Sequence, residues 1–153
     1  MLPFAAKRVV KNMPLVFAEK DIDDAIGISF TNTNKPFFTH CTITVHFGQG
    51  NQSQLPTGYH WNGADIPRFF WTLLGISQTD IRSIIASGFH DYGCENPDIP
   101  QVLADATFVS LLKPIRFNGR RLDGVGRLRA VLMYMAVRAY SIVGRPIARK
   151  FSK

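Results

Sequence analysis

His90 and Asp91 are adjacent residues whose side chains suit acid–base chemistry, and Asp105 follows them on the next predicted helix. A histidine can act as a general base when a carboxylate bonds one ring nitrogen and thereby orients the other. A second carboxylate nearby can hold a divalent cation. One imidazole and two carboxylates on neighbouring helices can therefore build a hydrolytic site.

The spacing of apolar residues places Asp105 on the buried side of its helix. Val102 lies three positions before it, and Phe108 and Val109 lie three and four positions after it. A carboxylate on this side is costly unless a partner bonds it. We predict that His90, on the facing helix, is this partner. The alternative is a buried His–Asp hydrogen bond with a structural role alone.

Asp91 projects about 100° away from His90 around the helix, so it can serve a different neighbour. The loop YHWNGADIP contains glycine and could complete a calcium site with oxygens from Asn62 and Asp65. The alternative is a tight turn at Asn62–Gly63 followed by a helix cap at Asp65, and spacing alone favours this alternative. Zinc is not indicated, because neither the histidines nor the two cysteines have paired ligand spacing.

The elements that carry these residues follow from periodicity and from turn residues. Strands are expected at Ile26–Phe30 and Thr42–Phe47, then a turn, a structured loop and a short helix at Phe69–Leu74. Three longer helices follow. The first is capped by Ser77 or Thr79 and ends at Gly93, the second runs from Pro100 to Leu112, and the third from Arg127 to Ile142.

The third helix has an apolar stripe that we expect to be buried. Its members are Leu128, Val131, Leu132, Met135, Ala139 and Ile142. The surrounding stretch Ala130–Val143 is too short to span a bilayer and contains Arg138. The N-terminal segment lacks the apolar core of a signal peptide.

Charge is distributed unevenly along a chain of globular composition. The net charge of the 153 residues is +7, and 46% of them are hydrophobic. Residues 113–153 hold eleven Lys/Arg and one acidic residue, whereas residues 1–112 hold seven and ten. The basic part favours an anionic partner, such as phospholipid, nucleic acid or an acidic protein, or it is a solvated helix face. Nucleic acid is the least favoured of these, because no recognition motif is present. Cys41 and Cys94 are interpreted as reduced thiols.

Four segments in order carry a family resemblance: WNGADIPRFFW, FHDYGCEN, LADATF and RAVLMYMAVRAY. They resemble phage and prophage proteins of domain-of-unknown-function family 1353, whose pattern contains TDGASIPR, HDxLY, a single Asp before Phe, and MYxAVR. The match covers about residues 55–145. Membership implies a phage or prophage origin.

The same segments are similar to the small bacterial secreted phospholipases that cleave the sn-2 ester. This resemblance implies that His90 is the base that activates water and that Asp105 orients it. It also implies calcium bound by Asp91, by Asn62 and by the carbonyl group of Gly63. In those enzymes the loop has aspartate where this chain has Asn62, and a tyrosine stands where this chain has Cys94.

The resulting prediction is a single α+β domain, mainly α, over residues 1–153. It comprises a small β-rich N-terminal part (1–54), a three-helix phospholipase A2-like core (55–145) and a basic tail (146–153). One function hypothesis is a calcium-assisted lipid ester hydrolase whose partner is anionic phospholipid. The other is a non-enzymatic virion or accessory protein that binds another phage protein or the envelope. The expected location is the virion or the bacterial host cytoplasm.

Overall fold

A computed structural model describes residues 13–48, 50–63, 71–72, 75, 77 and 80–144. Its strands are β1 (Leu15–Ala18), β2 (Ile26–Ile28), β3 (Phe37–Thr39), β4 (Ile43–Gly48), β5 (Asn51–Leu55), β6 (His60–Trp61), β7 (Ile115–Phe117) and β8 (Arg120–Leu122). Its helices are α1 (Ile81–Glu95), α2 (Gln101–Leu112) and α3 (Arg127–Ala139), and a π-helical turn (Tyr140–Gly144) continues α3.

The strands of the described residues form two sheets. The larger sheet has the order β5-β4-β1-β7-β8, and the smaller has the order β2-β3-β6. All neighbouring strands are antiparallel except β1 and β7, which are parallel. On β4, Ile43, Val45 and Phe47 alternate into the core, as the period of a half-buried strand requires.

The prediction of a mainly α domain with a three-helix phospholipase A2-like core is therefore wrong. The fold is a sheet-rich α+β arrangement in which eight described strands accompany three helices. The N-terminal strands do not form a separate part, because β1 pairs on one side with β4 and on the other with β7, a strand from the C-terminal half. Helix α1 contacts β5 of this sheet, α2 packs against α1, and α3 packs against α2.

The hairpin of β7 and β8 connects α2 to α3. Asn118 and Gly119 have positive φ angles of 46° and 83°, as both central residues of a type I′ turn require. Ile115 and Phe117 point into the core while Arg116 between them is exposed. Strands this short carry a weak periodic signal, so the Asn-Gly pair was the one clear sign of the hairpin.

Two glycines of α1 permit the close contacts that build the core around the helix pair. A Cβ at Gly88 would lie 2.9 Å from the ring of Trp61, and a Cβ at Gly93 would lie 2.8 Å from the Cβ of Ala104 on α2. The indole Nε1 of Trp61 donates to the carbonyl oxygen of Ile84 at 3.1 Å and so joins β6 to α1. These contacts position α1 against both α2 and the Asn62–Gly63 segment.

The predicted helix boundaries agree with the structure more closely than the predicted caps and buried faces do. Asp80, rather than Ser77 or Thr79, caps α1, since its carboxylate accepts from the amide of Arg82 at 2.8 Å.

The stripe that we expected to be buried on α3 is exposed, with Leu128 at 73% and Met135 at 61%. The buried residues of α3 are instead Ala130, Met133, Tyr134, Ala136 and Val137. The predicted helix at Phe69–Leu74 lies mostly outside the described residues, although residues 71–72 are helical.

Candidate functional site: a buried histidine–aspartate pair

The structure brings His90 and Asp105 together at the contact between α1 and α2. His90 Nε2 lies 2.6 Å from Asp105 Oδ1, within hydrogen-bond distance. Asp105 is fully buried and His90 is 8% exposed. The close packing of Gly93, one turn after His90, against Ala104, which directly precedes Asp105, allows this short contact. Their predicted contact is thus present, whereas their catalytic roles stay a prediction.

Asp105 has three further hydrogen-bond partners from α2 and from the C-terminal end of α3. Arg138 Nη1 donates to Oδ2 at 2.7 Å, and the hydroxyl of Ser141 donates to Oδ1 at 3.1 Å. Gln101 Nε2 donates to Oδ1 at 3.3 Å. A buried carboxylate with two cationic partners and several donors is well compensated for its lost hydration. The network is complete without an external ligand.

Sequence reasoning missed Gln101, Arg138 and Ser141 as members of this network. Arg138 had been noted as an interruption of an apolar stretch. That interruption was the available signal, because a single cation within an apolar stretch needs a carboxylate when that part of the helix packs. The structure shows that this carboxylate is Asp105.

The electrostatics of the pair favour its charged form. Burial opposes the imidazolium, but the hydrogen bond of the ring with Asp105 and the nearby carboxylate of Asp91 outweigh burial and raise the pKa of His90 well above 6.5. Burial likewise raises the pKa of Asp105, but the bonds from His90 and Arg138 outweigh it, so that the pKa falls below 3.8. A general base must be neutral. In the metal-free protein, the base form of His90 therefore becomes abundant only above its raised pKa.

The second ring nitrogen of His90 faces the other carboxylate of the predicted set. His90 Nδ1 lies 3.8 Å from Asp91 Oδ1, too far for a direct hydrogen bond. Asp91 in turn meets the Asn62–Gly63 segment. One terminal atom of the Asn62 side-chain amide lies 3.1 Å from Asp91 Oδ2 and 3.3 Å from the carbonyl oxygen of Gly63.

The orientation of the Asn62 amide decides what this segment does. With nitrogen at the shared position, the amide donates to Asp91 and to Gly63, and the group is satisfied internally. With oxygen there, three oxygens converge on one small region, which is stable only around a cation. Gly63 has a φ of 94°, as the tight-turn interpretation expects. Asp65 lies outside the described residues.

Cys94 is the second position where the chain departs from the phospholipase pattern. Its sulfur lies 3.9 Å from His90 Nδ1 and 3.8 Å from Nε2. Gln101 Nε2 donates to the sulfur at 3.0 Å. The side chain that replaces the expected tyrosine therefore lies against the imidazole ring. Neither Cys94 nor the buried Cys41 forms a disulfide bond in the described part of the chain.

Three features of the described residues bear on the kind of site. No group of three or more His, Cys, Asp and Glu side chains has the arrangement of a metal centre there. Two cavities of the described part are lined by residues other than His90, Asp91 and Asp105. None of the described helices combines the length and apolarity needed to cross a membrane.

The fold and the site together define an α+β domain with a buried, hydrogen-bonded His–Asp pair. The family model "Protein of unknown function (DUF1353)" matches residues 41–137, and the chain belongs to that family. An uncharacterized protein, y4jT of Sinorhizobium fredii (strain NBRC 101917 / NGR234), is 33% identical over 86 residues. The aligned region covers 56% of this chain and 23% of that relative, so the chain spans less than a quarter of its length. No solved structure matches the chain.

Proposed function

We propose that the protein is a calcium-assisted hydrolase that acts on lipid esters or related esters. One observation carries this proposal. His90 Nε2 is bonded to the buried Asp105, while Nδ1 lies 3.8 Å from Asp91 Oδ1, and the other carboxylate oxygen of Asp91 meets the Asn62–Gly63 segment. A ring oriented in this way presents one nitrogen to a water molecule and keeps the other fixed.

Each residue of the set has one role in this chemistry. Neutral His90 takes a proton from water at Nδ1 as the water attacks the ester carbonyl carbon. The attack gives a tetrahedral oxyanion, and the same proton then passes to the leaving alkoxide as the ester bond breaks. Asp105 is a positioning residue, since its hydrogen bond holds Nε2–H and stabilises the imidazolium that forms.

The oxygens near Asp91 are suitable ligands for calcium. Calcium takes oxygen ligands at 2.3–2.6 Å, which places neighbouring ligands on the order of 3 Å apart. The Asn62 amide atom has this spacing from Asp91 Oδ2 and from the carbonyl oxygen of Gly63. Water fills the remaining positions. The bound cation supplies charge that stabilises the oxyanion. Asn62 contributes no charge where the similar enzymes have aspartate, so affinity for calcium is expected to be weak.

Ester release from anionic phospholipid vesicles, measured with calcium and with chelator, tests this proposal. Activity should need calcium and fall by at least about 100-fold in His90→Gln, as expected for loss of a general base. His46→Gln is the matched control, because His46 lies on β4, outside the set. Asn62→Asp should lower the calcium concentration that gives half-maximal activity. Calcium-independent hydrolysis, or equal activity in His90→Gln and His46→Gln, would contradict the proposal.

A second candidate function is non-enzymatic binding by a phage virion or accessory protein. The exposed outer face of α3 favours it, because Leu128, Met135 and Ile142 are each at least 60% exposed on one side of the helix. Apolar surface of this kind commonly contacts another protein or the envelope. The basic tail, residues 146–153, lies outside the described residues.

Mass spectrometry of purified virions distinguishes the second candidate from the first. On this proposal the chain has a phage or prophage origin and resides in the virion or in the host cytoplasm. The wild-type protein should be found in virions, and Met135→Asp should remove it without loss of folding. Asp98→Ala, an exposed substitution away from α3, serves as the control. If virions lack the wild-type protein, the virion role is excluded.

A further inference from the structure

A cavity of about 630 Å³ lies at the N-terminal end of α3, away from the His90–Asp105 pair. It is lined by Gly75 and Ser77, by the start of α1, by Leu112 at the end of α2, and by residues 123–129. Its volume falls within the usual range for small-molecule sites. Its polar groups differ from those of the buried pair because several of them lack an internal partner.

The hydroxyl of Ser83 is the first of these groups. Ser83 is 1% exposed, lines the cavity, and its Oγ has no hydrogen-bond partner. Buried hydroxyl groups in folded proteins are normally bonded, so an orphan at a cavity wall points to a missing ligand. The hydroxyl can donate to an oxygen atom placed in the cavity.

The first turn of α3 supplies further donors at the same cavity. Gly126 is the N-cap and has no side chain, and no side-chain cap bonds the first turn. The first amides of a helix have no intrahelical acceptor, and the helix dipole adds positive potential at this end. The first turn also lacks an acidic residue that could satisfy them. An anion is the natural acceptor for such a helix end.

The charged groups that line the cavity leave two cations uncompensated. Arg127 and Arg129 line it and have no ion pair in the described part of the chain. The guanidinium of Arg82 is already occupied, because it donates to the carbonyl oxygens of Leu111, Lys113 and Asp123.

Among the described lining residues, the carboxylates of Asp80 and Asp123 are also engaged. Asp80 caps α1 by accepting from the amide of Arg82, and Asp123 lies 3.5 Å from Arg121. The uncompensated field acts on Lys113 nearby: burial lowers its pKa, and the charge of Arg127 lowers it further. Positive charge, free amides and a buried hydroxyl thus converge on one cavity.

We propose that this cavity binds a phosphate-type oxyanion, carried either by a soluble phosphorylated molecule or by a phospholipid headgroup. The oxyanion accepts from the first-turn amides of α3 and from Ser83, and it pairs with Arg127 and Arg129. The cavity is larger than a phosphate ion, so it has room for the group that carries the phosphate. Leu128 lines its rim and begins the exposed apolar face of α3, which a lipid would contact.

Calorimetric titration of the full chain with inorganic phosphate tests binding directly. Wild-type protein should bind phosphate, and added salt should weaken the interaction because much of it is electrostatic. The double variant Arg127→Gln/Arg129→Gln should lose binding. Ser83→Ala should weaken it about tenfold, as expected for one hydrogen bond to a charged group. Arg120→Gln changes the charge at a residue outside the cavity and should bind like the wild type.

The outcomes distinguish specific binding in the cavity from non-specific attraction to a basic surface. Absence of phosphate binding would overturn the proposal, and so would an equal loss in Arg120→Gln and in a cavity variant. The carrier is identified with glycerol phosphate and with vesicles of phosphatidylglycerol in phosphatidylcholine. If sedimentation with these vesicles depends on Arg127 and Arg129, the carrier is a lipid. If only glycerol phosphate shows this dependence, the carrier is a soluble molecule.

Discussion

The buried pair at the α1–α2 contact and the cavity at the start of α3 are both polar, yet they differ in how their polar groups are satisfied. Asp105 receives hydrogen bonds from four side chains of the protein itself. At the cavity, Ser83 Oγ and the first turn of α3 have donors without acceptors. A complete internal network stabilises the fold whether or not it is catalytic, whereas an incomplete one indicates an external ligand. The pair and the cavity therefore require different experiments.

Removal of Asp105 should destabilise the buried pair at the α1–α2 contact more than any other change considered. Asp105→Ala leaves buried His90 and partly buried Arg138 without their shared carboxylate, and breaking such a buried pair costs about 3 kcal/mol or more. Urea unfolding measures this loss. Asp98→Ala, on an exposed loop, should change stability by no more than about 0.5 kcal/mol. Equal effects of the two substitutions would show that the network contributes nothing to the fold.

Gly93→Ala should loosen the same region by separating its helices. The added methyl group would meet the Cβ of Ala104 at 2.8 Å, and overpacking of this kind costs about 1–3 kcal/mol. Ala104→Gly in the same chain removes the opposing methyl group and should recover part of the loss, which a double-mutant cycle measures. Asp98→Ala, the exposed substitution used above, is again the control. Absence of coupling between positions 93 and 104 would contradict the close helix contact.

The charge of the pair should make stability depend on pH in the metal-free protein. The pKa of His90 is raised, so its stabilising contribution is complete below 6.5 and is lost as pH rises through the folded-state pKa. The pKa of Asp105 is lowered, so its contribution is present above 3.8 and is lost as pH falls through the folded-state pKa. One group changes stability by at most about 1.4 kcal/mol per pH unit. Urea midpoints measured with chelator should decline towards alkaline pH, and His90→Gln should remove this decline.

Substitutions of two serines of α1 should have the smallest effects on stability, and they allow a direct comparison of an unbonded with a bonded hydroxyl group. Ser83 and Ser87 are each 1% exposed, but Ser87 Oγ accepts from Trp61 Nε1 and donates to the carbonyl oxygen of Ile84. Ser87→Ala should cost about 1 kcal/mol, whereas Ser83→Ala in phosphate-free buffer should be neutral or slightly stabilising. Thermal unfolding of both variants measures the difference. A loss in Ser83→Ala equal to that in Ser87→Ala would mean that Ser83 already has an acceptor.

Much of the buried pair could be predicted from the sequence because both of its members lie on strongly periodic helices. The apolar neighbours of Asp105 indicated its burial, and a buried carboxylate needs a partner. Arg138 and Ser141 could not be assigned in the same way, because their contact with Asp105 depends on how α3 packs against α2. The cavity was not predicted at all. The missing hydrogen-bond partner of the Ser83 hydroxyl can be recognised only when the positions of all its neighbours are known.

The buried side of α3 likewise could not be predicted from the sequence. This helix has apolar residues on both sides, so its pattern did not reveal which side is buried. The structure buries Met133, Tyr134 and Val137 and exposes Val131 and Leu132. The side that carries Arg138 turns towards Asp105, and the apolar stripe of stronger periodicity therefore faces outwards.

The sequence by itself determined the extents of α1 and α2, the alternating strand β4, and the meeting of His90 with Asp105. Local periodicity is enough for these features, because each depends on one element or on one pair of neighbouring helices. The tertiary structure decided the two-sheet architecture, the partners of Asp105 and the cavity at α3. These features join residues far apart in the chain: β1 pairs with β7, and Asp105 bonds Arg138. Such pairings are selected by the packing of the whole domain, so no local pattern contains them.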